Sequence, residues 1–371
     1  MAVSYLVKAP RKNGEAQKKP NLIKRAAMFF IPWKGDGAID IIRKLIFIIS
    51  LIAFIVTAFP LLSDVYTMYR DEWVNKQLQN IYNPDVNGGD VRNEAGILPA
   101  FEQLLDINPD TVGYLKIPGT AIDYPVVKSD DNDYYLFRDF YGNPNKSGTV
   151  MMDHKNVVSA DKTSANLVLY GHNMAIGTFF AGLGEYWRTL YDSYDGASIA
   201  YYKEHPTIVF DTLYEQAEWK IFAIGLYNVD EQYGEVFDYN NKHDFSSRED
   251  FNRYVIDIMD RSDIFTDVDI TYGDQILTLS TCYWPYRSDM ENVRLAIFAR
   301  KVREGESTEV DVSKAEVNTY VKRWQWVYDY VGGGYDWSQS NWDRRYLLSY
   351  TEEDARKDGY TFITNNPEDI D

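Results

Sequence analysis

The sequence predicts a mostly β domain that follows a single membrane-spanning helix. Three observations lead to this prediction. An uncharged apolar run occupies residues 45–62, short segments of β character recur between residues 111 and 302, and turn residues separate these segments. Eight or so strands with few helices favour either a closed barrel or a β-sandwich.

The N-terminal arm is basic, whereas the remainder of the chain is acidic. Residues 1–44 hold ten Lys/Arg against three Asp/Glu, a net charge of +7, so the remaining residues carry −25 within a total of −18. By the positive-inside rule, this split predicts a cytoplasmic arm, with everything after about residue 63 outside the cell. An acidic main domain also argues against nucleic acid as a partner.

The apolar run 45–62 (LIFIISLIAFIVTAFPLL) contains 18 residues without a charge. At the rise of an α-helix, this length is close to a hydrocarbon core of about 30 Å. A cleaved signal peptide is the alternative, but its basic region would be unusually long and no A-x-A-like site follows the run. We therefore expect an uncleaved anchor that contacts membrane lipid.

Helical spacing of apolar residues predicts four helices outside the membrane. They are a lead-in helix over 64–82, a short helix over 98–106, a helix inserted between two late strands over 246–261, and an amphipathic helix over 313–331. Ser246 and Ser247 are both candidate caps of the inserted helix. The expected strands are 112–117, 121–127, 148–153, 166–170, 206–211, 217–228, 268–272, 275–281 and 293–302.

The tail after residue 303 differs from the β region because it is rich in aromatic residues. Its tryptophans are Trp324, Trp326, Trp337 and Trp342. The plainer interpretation is that these side chains pack against the main domain, and stacking on sugars is the alternative. The acidic run 129–133 lacks the other ligands of a Ca²⁺ loop, so no metal site is expected.

Two reactive side chains are predicted at strand ends. Cys282 is the single cysteine of the chain, which excludes an internal disulfide and a Cys-rich zinc site. It ends the segment LTLSTC, and His172 follows the segment NLVLY. A lone thiol is either inert packing or a nucleophile. A strand end favours the second, because a rigid sheet can direct the side chain into a cleft.

An acyl transfer by a thiol needs residues of the types present here. A thiolate attacks, a histidine moves the protons, and an arginine can stabilise the oxyanion of a tetrahedral intermediate. Arg294 opens the strand that follows Cys282, after a loop of eleven residues. Arg287, inside that loop, is the rival arginine.

The segments TLSTC (278–282) and LYGHN (169–173), with an arginine at the start of the next strand, resemble the sortase family. The stretch 111–136 is similar to the N-terminal strands of that family and the loop after them. The lead-in helix, the inserted helix and the DND-x-YL sequence at 131–136 resemble class B members. The similarity covers roughly residues 64–302. The Tyr-Trp-Pro after Cys282 and a slightly long loop before Arg294 depart from the family pattern.

The resemblance implies a closed eight-stranded β-barrel with a substrate groove and no cofactor. It implies that the enzyme cleaves a C-terminal sorting signal, of the NPxTN kind, on secreted proteins. Cys282 would form a thioacyl enzyme, His172 would act as general acid and base, and Arg294 would hold the oxyanion or the substrate backbone. An amine of peptidoglycan or of a pilin would then resolve the intermediate.

Five further residues match groove positions of the family. They are Asn132, Leu136, Tyr233, Ser280 and Thr281. Simpler roles remain open for three of them, because Leu136 could be a core residue, Asn132 a turn residue and Tyr233 an exposed loop residue.

The sequence therefore predicts five regions in a Gram-positive type of cell-membrane protein. They are a cytoplasmic arm (1–44), an anchor (45–62), a helical lead-in (63–110), a catalytic barrel (111–302) and a C-terminal extension (303–371). Two rival functions remain. A cysteine hydrolase would use the same residues and release the acyl group to water, and a non-catalytic wall-binding module would use the aromatic tail.

Overall fold

The computed structural model describes residues 27–87, 92–174, 177–191, 199–284, 292–331, 334 and 342–359 of the 371-residue chain. The chain divides into two compact units, residues 1–70 and 71–371. A long helix, α1 (Ala38–Ile81), begins in the first unit, and its last residues belong to the second. All other elements named below lie in the second unit.

Helix α1 covers both the apolar run and the expected lead-in, and Pro60 lies inside it. The prediction of a separate helix that begins near residue 64 is therefore wrong. No glycine or turn sequence follows Pro60, so the helix continues on its C-terminal side. Within the described part of the chain, α1 is the one helix that is long and apolar enough to cross a membrane.

The second unit is built on β-strands. They are β1 (Thr111–Lys116), β2 (Asp123–Val127), β3 (Met151–Met152), β4 (Asn166–Tyr170), β5 (Thr207–Thr212), β6 (Glu218–Asn228), β7 (Ile264–Phe265), β8 (Ile276–Cys282), β9 (Val293–Lys301) and β10 (Glu316–Val317). Among the described residues, eight strands close into a barrel in the order β1-β2-β3-β4-β8-β9-β6-β5, while β10 pairs with β7. The prediction of a closed eight-stranded barrel is confirmed.

The barrel interior is filled by apolar side chains from alternate strand positions, such as Leu167, Leu169, Leu277 and Leu279. The strand expected at 268–272 is wrong, because Ile270 makes only an isolated bridge, to Leu347. The alternating apolar residues of this segment are buried by packing rather than by strand pairing. Val268 and Ile270 belong to a second apolar cluster that includes residues of the C-terminal extension.

Two of the expected helices are present near their predicted bounds. A 3-10 turn (Pro99–Phe101) leads into α2 (Glu102–Ile107), and the inserted helix is α5 (Arg248–Asp260). The Ser247 side chain caps α5 by accepting a hydrogen bond from the backbone N–H of Asp250. The sequence did not predict the short helices α3 (Gly184–Tyr191) and α4 (Ala200–Glu204).

The C-terminal extension packs on the barrel with little regular structure. Its helices are α6 (Gln325–Val331) and α7 (Glu352–Lys357), so the amphipathic helix expected over 313–331 is wrong for all but its last residues. Pairing of β10 with β7 holds Glu316 and Val317 extended, and a 3-10 turn (Val312–Lys314) precedes them. Trp324 and Trp342 are buried in the two apolar clusters, which confirms packing against the barrel for these two side chains. Trp337 lies outside the described residues.

Candidate active site

The sheet register brings the three predicted catalytic residues to one end of the barrel. Strands β4 and β8 are parallel, and Tyr170 lies beside Ser280 in their register. Two residues further along each chain, His172 and Cys282 therefore come to neighbouring positions. Strand β9 runs antiparallel to β8, and Arg294 lies directly opposite Cys282. Residues 110 positions apart in the chain thus meet because two strands end at the same edge.

A cavity of 260 Å³ opens at this edge. Seven of the eight residues singled out in the sequence line it: Cys282, His172, Arg294, Asn132, Leu136, Ser280 and Thr281. Thr149, Met151, Tyr170, Gly171 and Asn240 complete the lining. Tyr233 is not among the lining residues. It ends a 3-10 turn (Glu231–Tyr233), and its ring packs edge-on against Trp326, with 6.4 Å between centroids.

His172 is oriented by the loop that carries Leu136. Its Nε2 lies 2.9 Å from the carbonyl oxygen of Leu136, and its ring lies beside Phe137, with 6.3 Å between centroids. Because a carbonyl oxygen can only accept a hydrogen bond, Nε2 carries a hydrogen in this arrangement. Nδ1 is then the ring nitrogen whose protonation can change during a reaction.

Gly148 makes room for this contact. Its φ is +59°, and a Cβ at this position would lie 2.6 Å from the Leu136 carbonyl oxygen and 3.1 Å from Cδ2 of His172. We expect Gly148→Ala to displace the Leu136 carbonyl and, because His172 is the expected general acid and base, to lower kcat about 10- to 100-fold. Steady-state cleavage of a fluorogenic peptide, together with thermal unfolding, measures this effect.

Gly142→Ala is the matched control for Gly148→Ala. Gly142 also has a positive φ, +79°, but its Cβ would meet only the Tyr134 hydroxyl, at 3.8 Å. Both substitutions therefore strain the backbone, and only one crowds the His172 loop. Equal losses of kcat in the two variants would show that backbone strain alone, not the position of His172, causes the effect.

The segment around His172 is tied to the end of β8. The Asn173 amide donates to the Cys282 carbonyl at 3.0 Å, and the Thr281 hydroxyl donates to the Gly171 carbonyl at 2.7 Å. A side chain at Gly171 would collide with the buried Phe180 ring, 2.7 Å away. Gly171 and Asn173 of the LYGHN sequence thus have structural roles. Thr281 joins the end of β8 to the segment that follows β4.

Ser280 lies on the same side of β8 as Cys282, and its side chain is hydrogen-bonded to Tyr239. Its hydroxyl is 2.8 Å from the hydroxyl of the buried Tyr239. Burial raises the pKa of Tyr239 to about 12, although the Ser280 hydrogen bond and the charge of Arg294 oppose this rise. The Tyr239 phenol is therefore neutral at neutral pH. Tyr239 and Ser280 thus form an uncharged, hydrogen-bonded pair next to Cys282.

Asp153 does not line the cavity itself, but it accepts hydrogen bonds from polar residues that do. The Asn132 amide and the Tyr170 hydroxyl donate to its Oδ2 at 2.9 and 3.0 Å, and Nε2 of His243 lies 3.1 Å from its Oδ1. The Asn240 amide in turn donates to the Tyr170 hydroxyl at 3.0 Å. Burial raises the pKa of Asp153, but the contact with His243 and the hydrogen bonds from the Lys155 backbone N–H, Asn132 and Tyr170 outweigh it and hold this pKa well below its usual range.

Acid is therefore expected to weaken the structure through Asp153. The pKa of an unfolded aspartate is about 3.9, and the folded value is lower, so the stabilisation is complete above about pH 5 and is lost as the pH falls below about 4. We expect Asp153→Asn to lower the free energy of unfolding by about 1–3 kcal/mol at pH 7 and by less at pH 3. Urea unfolding at both pH values measures this difference.

The control for Asp153→Asn is Asp133→Asn. The Asp133 carboxylate is exposed, so its replacement is expected to change the unfolding free energy little at either pH. A cost of Asp153→Asn that is equal at pH 7 and pH 3 would contradict the role of the ionised carboxylate.

Sequence reasoning missed several residues of the site, among them Asp153, Tyr170, Tyr239 and Asn240 of the hydrogen-bonded wall and Thr149 and Met151 of the lining. Tyr170 carried a usable signal, because it lies two residues before His172 and strand alternation places it on the same side. Tyr239 and Asn240 lie in the irregular connection between β6 and α5, where no periodicity indicates a direction. The rival arginine, Arg287, lies outside the described residues. The His243 side chain is largely buried beside Asp153.

Comparisons of the sequence identify related proteins. The family model for the sortase domain matches residues 115–302. The chain is 28% identical to sortase B of Staphylococcus aureus over 212 residues, which cover 57% of this chain and 78% of that protein. It is 27% identical to sortase B of Listeria monocytogenes over 259 residues, which cover 70% of this chain and 96% of that protein.

Solved structures agree with this relationship. Sortase B from Bacillus anthracis matches with a TM-score of 0.51 at 30% identity, over 64% of this chain and 99% of that one. Sortase B from Staphylococcus aureus, in a complex with its substrate, matches with a TM-score of 0.51 at 26% identity, over 63% of this chain and 97% of that one. Nearly the whole of each related structure therefore has a counterpart here.

Proposed function

The chain belongs to the sortase family as a class B-like cysteine transpeptidase, and from this premise we propose that it cleaves an NPxTN-like C-terminal sorting signal of secreted proteins. The acyl group is then transferred to an amine of peptidoglycan or of a pilin. The observation that carries the proposal is the register of β4, β8 and β9, which brings His172, Cys282 and Arg294 to one cavity.

In the proposed reaction, His172 accepts the proton of the Cys282 thiol, the thiolate attacks the scissile carbonyl, and the carbonyl oxygen becomes an oxyanion. Arg294, opposite Cys282 in the sheet, stabilises this charge. His172 then donates a proton to the leaving amine, which departs as the thioacyl enzyme forms. The contact between Nε2 and the Leu136 carbonyl supports Nδ1 as the nitrogen that releases this proton.

The second half of the proposed reaction reverses these roles. An incoming amine attacks the thioester carbonyl, His172 accepts its proton, and Cys282 leaves as the thiolate. Water could attack in the same way, and the enzyme would then act as a hydrolase. Transfer requires that the amine reaches the thioester faster than water does.

The walls of the cavity suit an extended peptide with small polar groups. Asn132 directs its amide oxygen to the backbone N–H of His154 and one amide hydrogen to Asp153. We propose that Asn132, Leu136, Ser280 and Thr281 contact the sorting signal, with Asn132 and Ser280 held in place by Asp153 and Tyr239.

We also propose that α1 anchors the enzyme in the cell membrane through residues 45–62, with the arm 1–44 in the cytoplasm and the domain outside. The apolar length of α1 and the charge split of the sequence support this orientation. Residues 63–110 then act as the lead-in, 111–302 as the catalytic barrel and 303–371 as the extension. Membrane fractionation with protease protection of intact cells tests the orientation.

The proposed reaction is tested by product analysis. The full chain in detergent is incubated with a fluorogenic peptide that contains NPQTN, with and without a panel of amine nucleophiles, and mass spectrometry identifies the products. We expect amine-ligated peptide, and none with Cys282→Ala. Acid product alone across the panel would favour the hydrolase, and the absence of both cleavage and a Cys282 adduct would contradict the proposed substrate.

A further inference from the structure

The C-terminal extension contacts a loop at the catalytic end of the barrel. This loop, residues 229–235, follows β6. Three contacts join the two segments: the rings of Tyr233 and Trp326 pack edge-on, the Lys322 ammonium pairs with the Glu235 carboxylate at 3.1 Å, and Gly234 lies against Gln325. Gly234 has a φ of +126°, and a Cβ there would lie 2.9 Å from the Gln325 nitrogen.

The extension is itself firmly attached where it meets the loop. Trp324 and Val327, on either side of Trp326, are each only 4% exposed and belong to the main apolar cluster of the barrel. Arg323 pairs with the buried Asp263, which ends the connection from α5 to β7. Trp326 is therefore presented to the loop from a fixed segment.

The loop 229–235 is closed by hydrogen bonds among its own residues and Asn228. The buried Asn228 amide donates to the carbonyl oxygens of Asp230, Gly234 and Glu235, at 2.9, 3.1 and 3.3 Å. The Asp230 carboxylate accepts a hydrogen bond from the backbone N–H of Gln232 at 3.0 Å. A loop closed by its own hydrogen bonds moves as a unit rather than residue by residue.

The opposite side of the loop holds the start of β9. The Asn292 amide donates to the Asp230 carboxylate at 2.8 Å, and the Asn292 carbonyl accepts from the Val229 N–H at 3.1 Å. Asn292 lies two residues before Arg294, the second residue of β9. Arg294 pairs with Cys282 of β8 and with Tyr227 of β6. Terminal residues of a strand fray unless something holds them, so what fixes Asn292 contributes to the position of Arg294.

We propose that the C-terminal extension positions Arg294, with Trp326 acting through the loop 229–235 and Asn292. Trp326 is a positioning residue and does not touch the reacting atoms. The inference rests on the proposed function, because it matters for catalysis only if Arg294 stabilises the oxyanion. It gives the aromatic extension a role in the reaction of this chain.

The experiment compares Trp326→Ala with the wild-type protein in two measurements. We expect kcat for the fluorogenic peptide to fall about 3- to 10-fold with KM nearly unchanged, and Trp326→Phe to restore most of it, because a phenyl ring keeps the edge contact with Tyr233. In an Arg294→Lys background, Trp326→Ala is expected to have almost no further effect, because both changes act on the same group.

Hydrogen exchange provides the second measurement and needs no substrate. The backbone amides of Val229 and Tyr283, which donate to residues 292 and 293, are expected to exchange faster in Trp326→Ala. Leu348→Ala is the control, because Leu348 is an exposed side chain of the same extension. If Trp326→Ala fails to fold, Gly234→Ala, which pushes Gln325 away from the loop, replaces it.

The outcomes separate this inference from the proposed function. Wild-type protein without peptide activity contradicts the proposed substrate, while faster exchange in Trp326→Ala still supports the positioning of β9 by the extension. An active wild type with unchanged exchange and unchanged kcat in Trp326→Ala overturns the inference. The inference is also overturned if Trp326→Ala lowers kcat as much in the Arg294→Lys background as in the wild type. A change in KM alone has the same consequence.

Discussion

Replacement of Cys282, of His172 or of both by alanine is expected to lower the rate to one common residual level. The wild-type rate should fall by about 10⁴-fold or more in each single variant, because the thiol and the imidazole act as a unit and neither forms the thioacyl enzyme alone. The double variant is expected to be no slower than Cys282→Ala. Single-turnover cleavage of the fluorogenic peptide measures all three rates.

Two controls make this prediction specific. Cys282 is the only cysteine, so one adduct with a thiol reagent, detected by mass spectrometry, reports directly on the site. His205→Ala replaces a histidine that bonds the Pro118 carbonyl and does not line the cavity, so it should leave the rate unchanged. Additive losses in the double variant would indicate two independent contributions and contradict the shared mechanism.

Arg294→Ala is expected to have the next largest effect, a loss of about 10²- to 10³-fold in kcat. The residue lies opposite Cys282 in the β8–β9 register and lines the same cavity. In the proposed mechanism its charge therefore acts on the carbonyl that Cys282 attacks. Because this charge acts mainly in the transition state, KM should change little. Steady-state kinetics with the fluorogenic peptide separates the two parameters.

Arg294→Lys tests whether geometry matters in addition to charge. Lysine keeps the positive charge but lacks the planar donor fork of arginine, so we expect it to restore only part of the lost kcat. Arg253→Ala, on the exposed side of α5, is the control for a general change of charge. A rise in KM without a fall in kcat for Arg294→Ala would assign the residue to substrate binding instead.

The sequence predicted most of the strands because they are encoded locally, while the choice of a closed barrel over a sandwich came from the family resemblance. Alternating apolar residues define β4, β8 and β9 within one or two positions, and turn residues mark their ends. The inserted helix is encoded in the same way, by its 3.6-residue spacing and the Ser247 cap. Each of these signals lies within about a dozen residues, so no distant contact is needed to interpret it.

Two local sequence patterns gave wrong predictions of secondary structure because contacts with distant segments decided the conformation. The pattern at 313–331 has helical spacing, yet residues 316–317 form β10 and pair with β7, and the helix α6 begins only at Gln325. The alternation at 268–272 is real but serves burial under the extension. In both cases tertiary packing outweighed local propensity, which contributes only a few tenths of a kcal/mol per residue.

The sequence by itself determined which side chains can carry the chemistry. It contains one cysteine, a histidine after one strand and an arginine at the start of another, and these assignments need only the order of residues. The tertiary structure decided what surrounds them: Asp153 behind the cavity wall, Tyr239 below Ser280, and the extension against the loop 229–235. These partners are joined by hydrogen bonds and ring contacts between distant parts of the chain, as in the 70 residues between Tyr170 and Asn240. Local patterns carry no record of such pairs, because the fold alone brings them within bonding distance.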